Sequence, residues 1–206
     1  MHSPKTRSFI DTDHTVMSDY YEILEKDLSA TQMLNAMQQL IKKDPDFYDP
    51  YIMAADTLFS ESKDDKAAML IIEAYKRATL KITDNKGNWP DEMLWGYLGN
   101  RHIMRALEEY GMLLWANNET MEALDLFRRI LHMNPNDNQG MRYNILAIKL
   151  HLGINEWEEP FIAKDEHGSE LGLDAFKVSK WFDKYASQFP QEFQWLLDYY
   201  AKTYNS

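Results

Sequence analysis

Apolar side chains recur along almost the whole chain at intervals of three and four residues, the spacing that gathers them on one face of an α-helix. Met33, Leu34, Met37, Leu40 and Ile41 form one such stripe, and Ser29 with Gln32 ahead of it stands at capping-box spacing. This helix is expected to stop at Asp44-Pro45, because a residue before proline is pushed out of the helical region. Further helices are expected from about Pro50 to Ser60, Asp65 to Ile82, Pro90 to Ala116 with Gly96 and Gly99 as weak points, and Thr120 to Met133. Others are expected over 138–152, 172–188 and 191–203, and a short one opened by Ser18 carries Tyr20, Tyr21, Ile23 and Leu24. Alternating β-branched runs are missing, so the fold class read from the pattern is all-α. The acidic stretch 154–170, with Pro160 and Gly168, is the one long segment expected to be irregular. Residues 1–17 are expected to form a loose tail, packed down at most by Phe9 and Ile10.

A periodicity longer than the helix turn is also present. Counting outward from Pro45 and Pro135 as equivalent helix-end prolines gives two 34-residue units, 48–81 and 104–137. In the first, Tyr51, Ala54, Ala55 and Leu58 occupy one helix and Ala67, Ile71 and Ala74 the next. The same positions of the second hold Leu107, Tyr110, Gly111 and Leu114, then Ala123, Phe127 and Ile130. Half units precede and follow (30–47 and 138–153), a 22-residue insert occupies 82–103, and a helical pair is expected over 171–206. Small residues at Ala55, Ala67, Gly111 and Ala123 suit places where paired helices approach closely, and the larger residues fill the spaces between.

This arrangement resembles the tetratricopeptide repeat, with three departures: the insert at 82–103, Thr rather than proline at residue 79, and a C-terminal quarter that follows no repeat. The run Asn134-Pro135-Asn136-Asp137-Asn138-Gln139-Gly140-Met141-Arg142-Tyr143 is also similar to a segment of bacterial tetratricopeptide-like proteins. The resemblance implies antiparallel helix pairs and a concave groove, lined by the first helix of each pair, that takes a peptide or helix of another protein. The groove positions it implies are Asp49, Ile52, Asp56 and Phe59; Arg105, Glu108, Met112 and Trp115; and Gln139, Arg142, Leu146 and Lys149. Trp115 as a stiff apolar anchor and Arg142 as a forked donor are the two expected to matter most. Chaperone-tail binders of this family hold a terminal carboxylate with a Lys/Asn/Arg clamp. Here Ile52, Asp56, Glu109, Gln139 and Tyr143 stand at the clamp positions, and two acids there would repel a carboxylate.

Charge narrows the partners. With 33 Asp and Glu against 22 Lys and Arg the net charge is −11, the wrong sign for displacing counterions from nucleic-acid phosphates or for an anionic membrane surface. No apolar run approaches the ~20 residues that span a bilayer. Cysteine is absent, which excludes disulfides, thiol catalysis and thiolate metal sites and suits a reducing cytoplasm.

Catalytic chemistry finds little support. None of the six histidines stands in H-x-x-x-H, H-E-x-x-H or E-x-x-H spacing, so neither a metal nor another cofactor is expected. Phosphate-loop, dinucleotide-binding and nucleophile-elbow patterns are missing. Ser60-Glu61-Ser62-Lys63 matches S-x-x-K but lacks its companion elements and falls in an interhelical turn. The carboxylate runs Glu108-Glu109, Glu156-Trp157-Glu158-Glu159 and Asp165-Glu166 read as solvated faces, and the aromatic residues from Trp181 to Tyr199 read as packing. The functional expectation is a non-enzymatic adaptor for a protein or peptide, with homo-oligomers compatible. The alternatives are a small acidic secretion-type chaperone and an enzyme with a site near 154–170.

Overall fold

The computed structural model describes residues 6–204, and among them almost all regular structure is helical: ten α-helices and one two-stranded sheet. No helix among the described residues is long and apolar enough to cross a membrane. The chain divides into two compact units; one runs up to Leu113 and takes in His132–Asn134, the other comprises Leu114–Leu131 and the chain from Pro135 onward.

In the first unit, α1 (Met17–Leu24) starts after the buried Val16 without a side-chain cap, so Ser18 does not cap it. α2 (Ala30–Lys43) has the expected capping box, with the Gln32 N–H donating to Ser29 Oγ and the Ser29 N–H donating to Gln32 Oε1 at 3.0 Å. It ends where Asp44 turns extended ahead of Pro45. α3 (Asp49–Ser60) carries Pro50 in its first turn, where no backbone donor is needed. α4 (Asp64–Ile82) lines up Ala67, Ile71, Ala74, Ala78 and Ile82 as one buried stripe. Ala55 and Ala67 meet in one buried cluster with Leu58 and Ile71, so the two small residues lie where α3 and α4 pack.

Two stretches of this unit differ from expectation. The helix expected from Pro90 begins only at Leu98: α5 is Leu98–Ala116. Upstream, the Asp84 carboxylate accepts the N–H groups of Lys86 and Asn88, both at 2.8 Å, and closes a turn that no helix can continue through. The N-terminal segment is ordered from Thr6 on rather than a loose tail; residues 1–5 of the expected tail lie outside the described residues. Ser8 pairs with Glu92 in a parallel bridge, and Arg7 donates to the carbonyls of Ile82 and Asn88. The buried Asn100 amide then donates to the Phe9 carbonyl at 3.2 Å and accepts the Asp11 N–H at 2.9 Å. The segment crosses α5 so closely that a Cβ on Gly99 would lie 2.6 Å from the Asp11 carbonyl oxygen. The glycine read as a weak point of a helix is thus the gap through which the N-terminal segment passes.

α6 ends at Met133 as expected (Thr120–Met133), its last two residues belonging to the first unit, and in the second unit α7 is Met141–Lys149. α7 starts three residues late because Asp137, at φ +50°, captures the N–H groups of Met141 and Arg142 with its side chain. The stretch 154–170, expected to be irregular, is largely ordered: α8 (Ile154–Glu158), a 3₁₀ turn, and β1 (Ile162–Lys164) antiparallel to β2 (Glu170–Leu173). Its turn is set by Asp165, which accepts from the His167 and Ser169 N–H groups at 2.8 Å each, and by Gly168 at φ +84°. α9 (Ala175–Tyr185) and α10 (Pro190–Tyr204) close the chain. Val178, Phe182, Phe193 and Leu196 are buried, and Trp157 stacks on Trp181 with ring centroids 5.8 Å apart.

One local device recurs three times. After α3, Ser62 N–H donates to Phe59 and Lys63 N–H to Leu58; after α5, Asn118 to Trp115 and Glu119 to Leu114; after α7, His151 to Ile148 and Leu152 to Ala147. Ser62, Asn118 and His151 all have positive φ, between 57° and 64°. Each is a Schellman cap, in which a left-handed residue lets the chain turn back on the last free carbonyls of the helix.

Candidate functional site

Among the sequence-derived groove residues, those of the first unit share a half-exposed face. On α3 the buried side holds Tyr51, Ala54, Ala55 and Leu58, while Ile52 is half-buried, Asp56 exposed and Phe59 38% exposed. On α5, Ile103, Met104, Ala106 and Leu107 are buried while Arg105, Glu108 and Met112 are half-buried. This is the contrast that spacings of three and four produce when one helix face packs and the other faces water.

The electrostatics of this face are uneven. Asp49 is 3% exposed and fully engaged: Arg105 grips its carboxylate with both Nε, at 2.8 Å, and a terminal nitrogen. Glu109 stands one turn past Arg105 and Asp56 two turns past Asp49; the two carboxyls interact electrostatically, and neither is in an ion pair among the described residues. Burial, and then the neighbouring Asp56, push the Glu109 carboxyl up to about 7; burial alone raises Asp56. At the N-terminal end of α5, one turn before Arg105, Arg101 donates from Nε to the Trp95 carbonyl at 3.0 Å. Its guanidinium carbon lies 5.4 Å from the Trp95 ring centroid and that of Arg105 5.6 Å. Its terminal nitrogens have no carboxylate partner among the described residues.

The groove residues of the second unit are engaged inside that unit. Trp115 is 5% exposed and meets Phe127 edge-on at 6.3 Å. Arg142 donates to the buried Asp137 carboxylate at 2.8 Å, reaches Tyr200 Oη at 3.3 Å and also bonds the Tyr143 hydroxyl. Leu146 is buried, Gln139 half-buried, and the Lys149 ammonium lies 5.6 Å from the Phe189 ring centroid. Trp115 also borders a cavity of about 440 Å³ with Ile148, His151, Leu152 and Ile154.

The structure also assembles a cluster that the sequence reading passed over. Asp11, His14 and His102 bring one ligand-type atom each within 4.8 Å of one another, the only such trio of metal-ligating side chains among the described residues. Asp11-x-x-His14 has the same i, i+3 geometry as Glu-x-x-His, and that spacing is the signal that points to it. Its hydrogens decide its chemistry. The Tyr48 N–H donates to His102 Nδ1 at 3.1 Å, so the ring proton sits on Nε2, which donates to Asp11 Oδ2 at 3.0 Å. The Lys81 ammonium lies 2.9 Å from that same oxygen, and His14 reaches Asp11 at 3.1 Å and Asp44 at 2.6 Å. A metal would need the Nε2 lone pair that this tautomer lacks and the place that Lys81 fills. The donor set does not fit an ion. Burial works to raise Asp11, but the hydrogen bonds of His102, Lys81 and His14 outweigh it and hold the carboxyl far below the usual range. Burial depresses His102 against the pull of Asp11, keeping the ring neutral. The cluster ties the N-terminal segment to α4 and α5 through a charge supplied by the chain itself.

Comparison with protein-family models, curated proteins and solved structures finds no match for this chain.

Proposed function

We propose that this protein is a tetratricopeptide-like interaction module that binds a segment of a partner protein on the half-exposed face of α3 and α5. The observation that carries this is the state of Asp56 and Glu109: two carboxyls near enough for Asp56 to act on Glu109, which burial pushes up to about 7, and neither in an ion pair among the described residues. Holding charge partly out of water without a counter-charge costs stability, and a partner group would relieve that cost. Ile52, Phe59 and Met112 supply apolar surface on the same faces, as an interface core with a polar rim requires. The Ala55–Ala67 packing of α3 on α4 and the three matching helix caps support the repeat reading. An acidic chain without cysteine fits a protein ligand in a reducing compartment such as the cytoplasm better than a nucleic acid. The face has no nucleophile–base pair, which fits binding rather than catalysis.

Site-specific photocrosslinking tests this. A benzophenone side chain at Phe59 or Met112 should capture a partner in native lysate. The same group at Met69 or Leu80, exposed on α4, should not. Equal capture from α4, or none from Phe59 and Met112, would remove the assignment.

A further inference from the structure

The face on α3 and α5 is electrically polar from end to end. Arg101, Arg105, Glu108 and Met112 follow one another at spacings of four, three and four on α5, so they share one stripe. Arg105 is neutralised by Asp49, but Arg101 is not neutralised. Its Nε donates to the Trp95 carbonyl and its guanidinium carbon lies over the indole ring, so the group is restrained, and among the described residues its two terminal nitrogens meet no carboxylate. A guanidinium already restrained in this way loses less conformational freedom on meeting an anion and matches a carboxylate with two parallel hydrogen bonds. The opposite end of the stripe carries the Asp56–Glu109 pair, which asks for a cation. Eight residues of helix separate Arg101 from Glu109, about 12 Å at ~1.5 Å per residue.

We propose that the groove selects a partner segment of matching polarity, with an acidic residue at Arg101 and a basic residue at the Asp56–Glu109 pair. This rests on the groove reading above and gives it a ligand chemistry. An extended peptide rises ~3.3 Å per residue, so the two charges stand about four residues apart. Between them the segment presents an apolar side chain to Ile52 and Met112. Trp95 flanks the acidic anchor, where its indole screens the ion pair from water.

The test uses the full chain and four acetylated, amidated, fluorescein-labelled twelve-residue peptides on a Ser/Ala background with a central Leu. One carries Glu and Lys four positions apart; the others carry Glu/Glu, Lys/Lys or Gln/Gln there. Fluorescence anisotropy at low salt should show the Glu/Lys peptide binding at least tenfold tighter than the other three. Arg101→Gln should abolish its advantage over Lys/Lys, and the double variant Asp56→Asn/Glu109→Gln its advantage over Glu/Glu. Asp56→Asn and Glu109→Gln keep the side-chain shapes, Arg101→Gln shortens one, and melting curves verify that both variants fold. Adding 0.5 M salt should shrink the preference, because partly exposed charges are screened. If all four peptides bind alike, and the Gln/Gln peptide shifts the Ile52 and Met112 methyl resonances, the groove stands and its polarity is overturned. If none binds at millimolar concentration, both readings fall.

Discussion

Replacing Glu109 by glutamine removes one proton-binding site from the groove and keeps its shape. The Glu109 carboxyl is raised from 4.5 to about 7 by burial and by Asp56. A group whose folded value lies above its unfolded one favours the folded state while protonated, and that advantage disappears as the pH climbs through the folded value. At ~1.36 kcal/mol per tenfold change in proton affinity, the full change amounts to ~3.4 kcal/mol, of which ~2.6 kcal/mol falls between pH 5 and pH 8.5 because the unfolded carboxyl is already mostly ionised at pH 5. Glu109 keeps part of its surface in water, so solvent screening should leave about half of that, ~1–2 kcal/mol. Glu109→Gln has no proton to lose. Its stability relative to the wild type should therefore rise by ~1–2 kcal/mol from pH 5 to pH 8.5, or several degrees in Tm at ~2–4 °C per kcal/mol. Chemical denaturation of both proteins at the two pH values measures this, and every titrating group not coupled to Glu109 cancels in the double difference. A difference that does not change with pH, or that shrinks as pH rises, would show Glu109 to be ordinarily solvated and would remove the unneutralised pair from the groove.

Three further outcomes follow from the packing. Gly99→Ala, worth up to ~1 kcal/mol of stabilisation in an open helix, should instead destabilise by ~1–3 kcal/mol because its Cβ meets the Asp11 carbonyl at 2.6 Å; a higher Tm would mean that the N-terminal segment does not cross there. Arg142→Ala strands the buried Asp137 carboxylate and should cost ~3–5 kcal/mol, whereas an unchanged melt would free Arg142 for a binding role. Nitrogen chemical shifts should show His102 as the neutral Nε2–H tautomer at pH 7, since burial holds its pKa below the ordinary 6.5. Because the unfolded chain takes up that proton first, His102 lowers stability as pH falls through 6.5, the opposite sign to Glu109; a charged or Nδ1–H ring at pH 7 would refute the tautomer.

How far the sequence could be read depended on the range of the forces involved. α2, α3, α4 and α6 were legible because their limits are local: a capping box at Ser29, a proline after Asp44, acids at Asp64 and Asp65, a proline after Asn134. The late start of α5 was not, because residues 90–97 are held by hydrogen bonds to residues far away in sequence, such as Asp91 N–H to Arg7 and Trp95 N–H to Asn134. The order of the N-terminal segment has the same origin, with the Asn100 side chain bonding residues 89 and 91 positions distant. Within the candidate site, Ile52, Asp56, Phe59, Glu108 and Met112 lie on partly accessible helix faces, as helical spacing alone allows. That spacing could not show that Arg105 would be consumed by Asp49 on α3, or Arg142 by Asp137 in the turn ahead of α7, since both partners lie outside the helix whose spacing was counted. Arg101 escaped notice because the repeat count places it before the unit that begins at Met104.

The three left-handed caps also work as a ruler. Ser62 and Asn118 are 56 residues apart, one 34-residue repeat plus the 22-residue insert, but Asn118 and His151 are only 33 apart. The third segment is thus one residue short, and a residue is about 100° of rotation on a helix. Counted back from the cap, the counterpart of Phe59 and Trp115 on α7 is the buried Ile148, and Lys149 lies a step further round. Anyone who transplants binding residues between the helices of this chain has to choose which mark to count from. A graft aligned on the left-handed residue would carry the counterpart of Glu108 onto the buried Met141, whereas one aligned on Pro45 and Pro135 carries it onto the half-buried Arg142. Positions 62, 118 and 151 are themselves natural sites for glycine, so the marks on the ruler can be reinforced without moving what they measure.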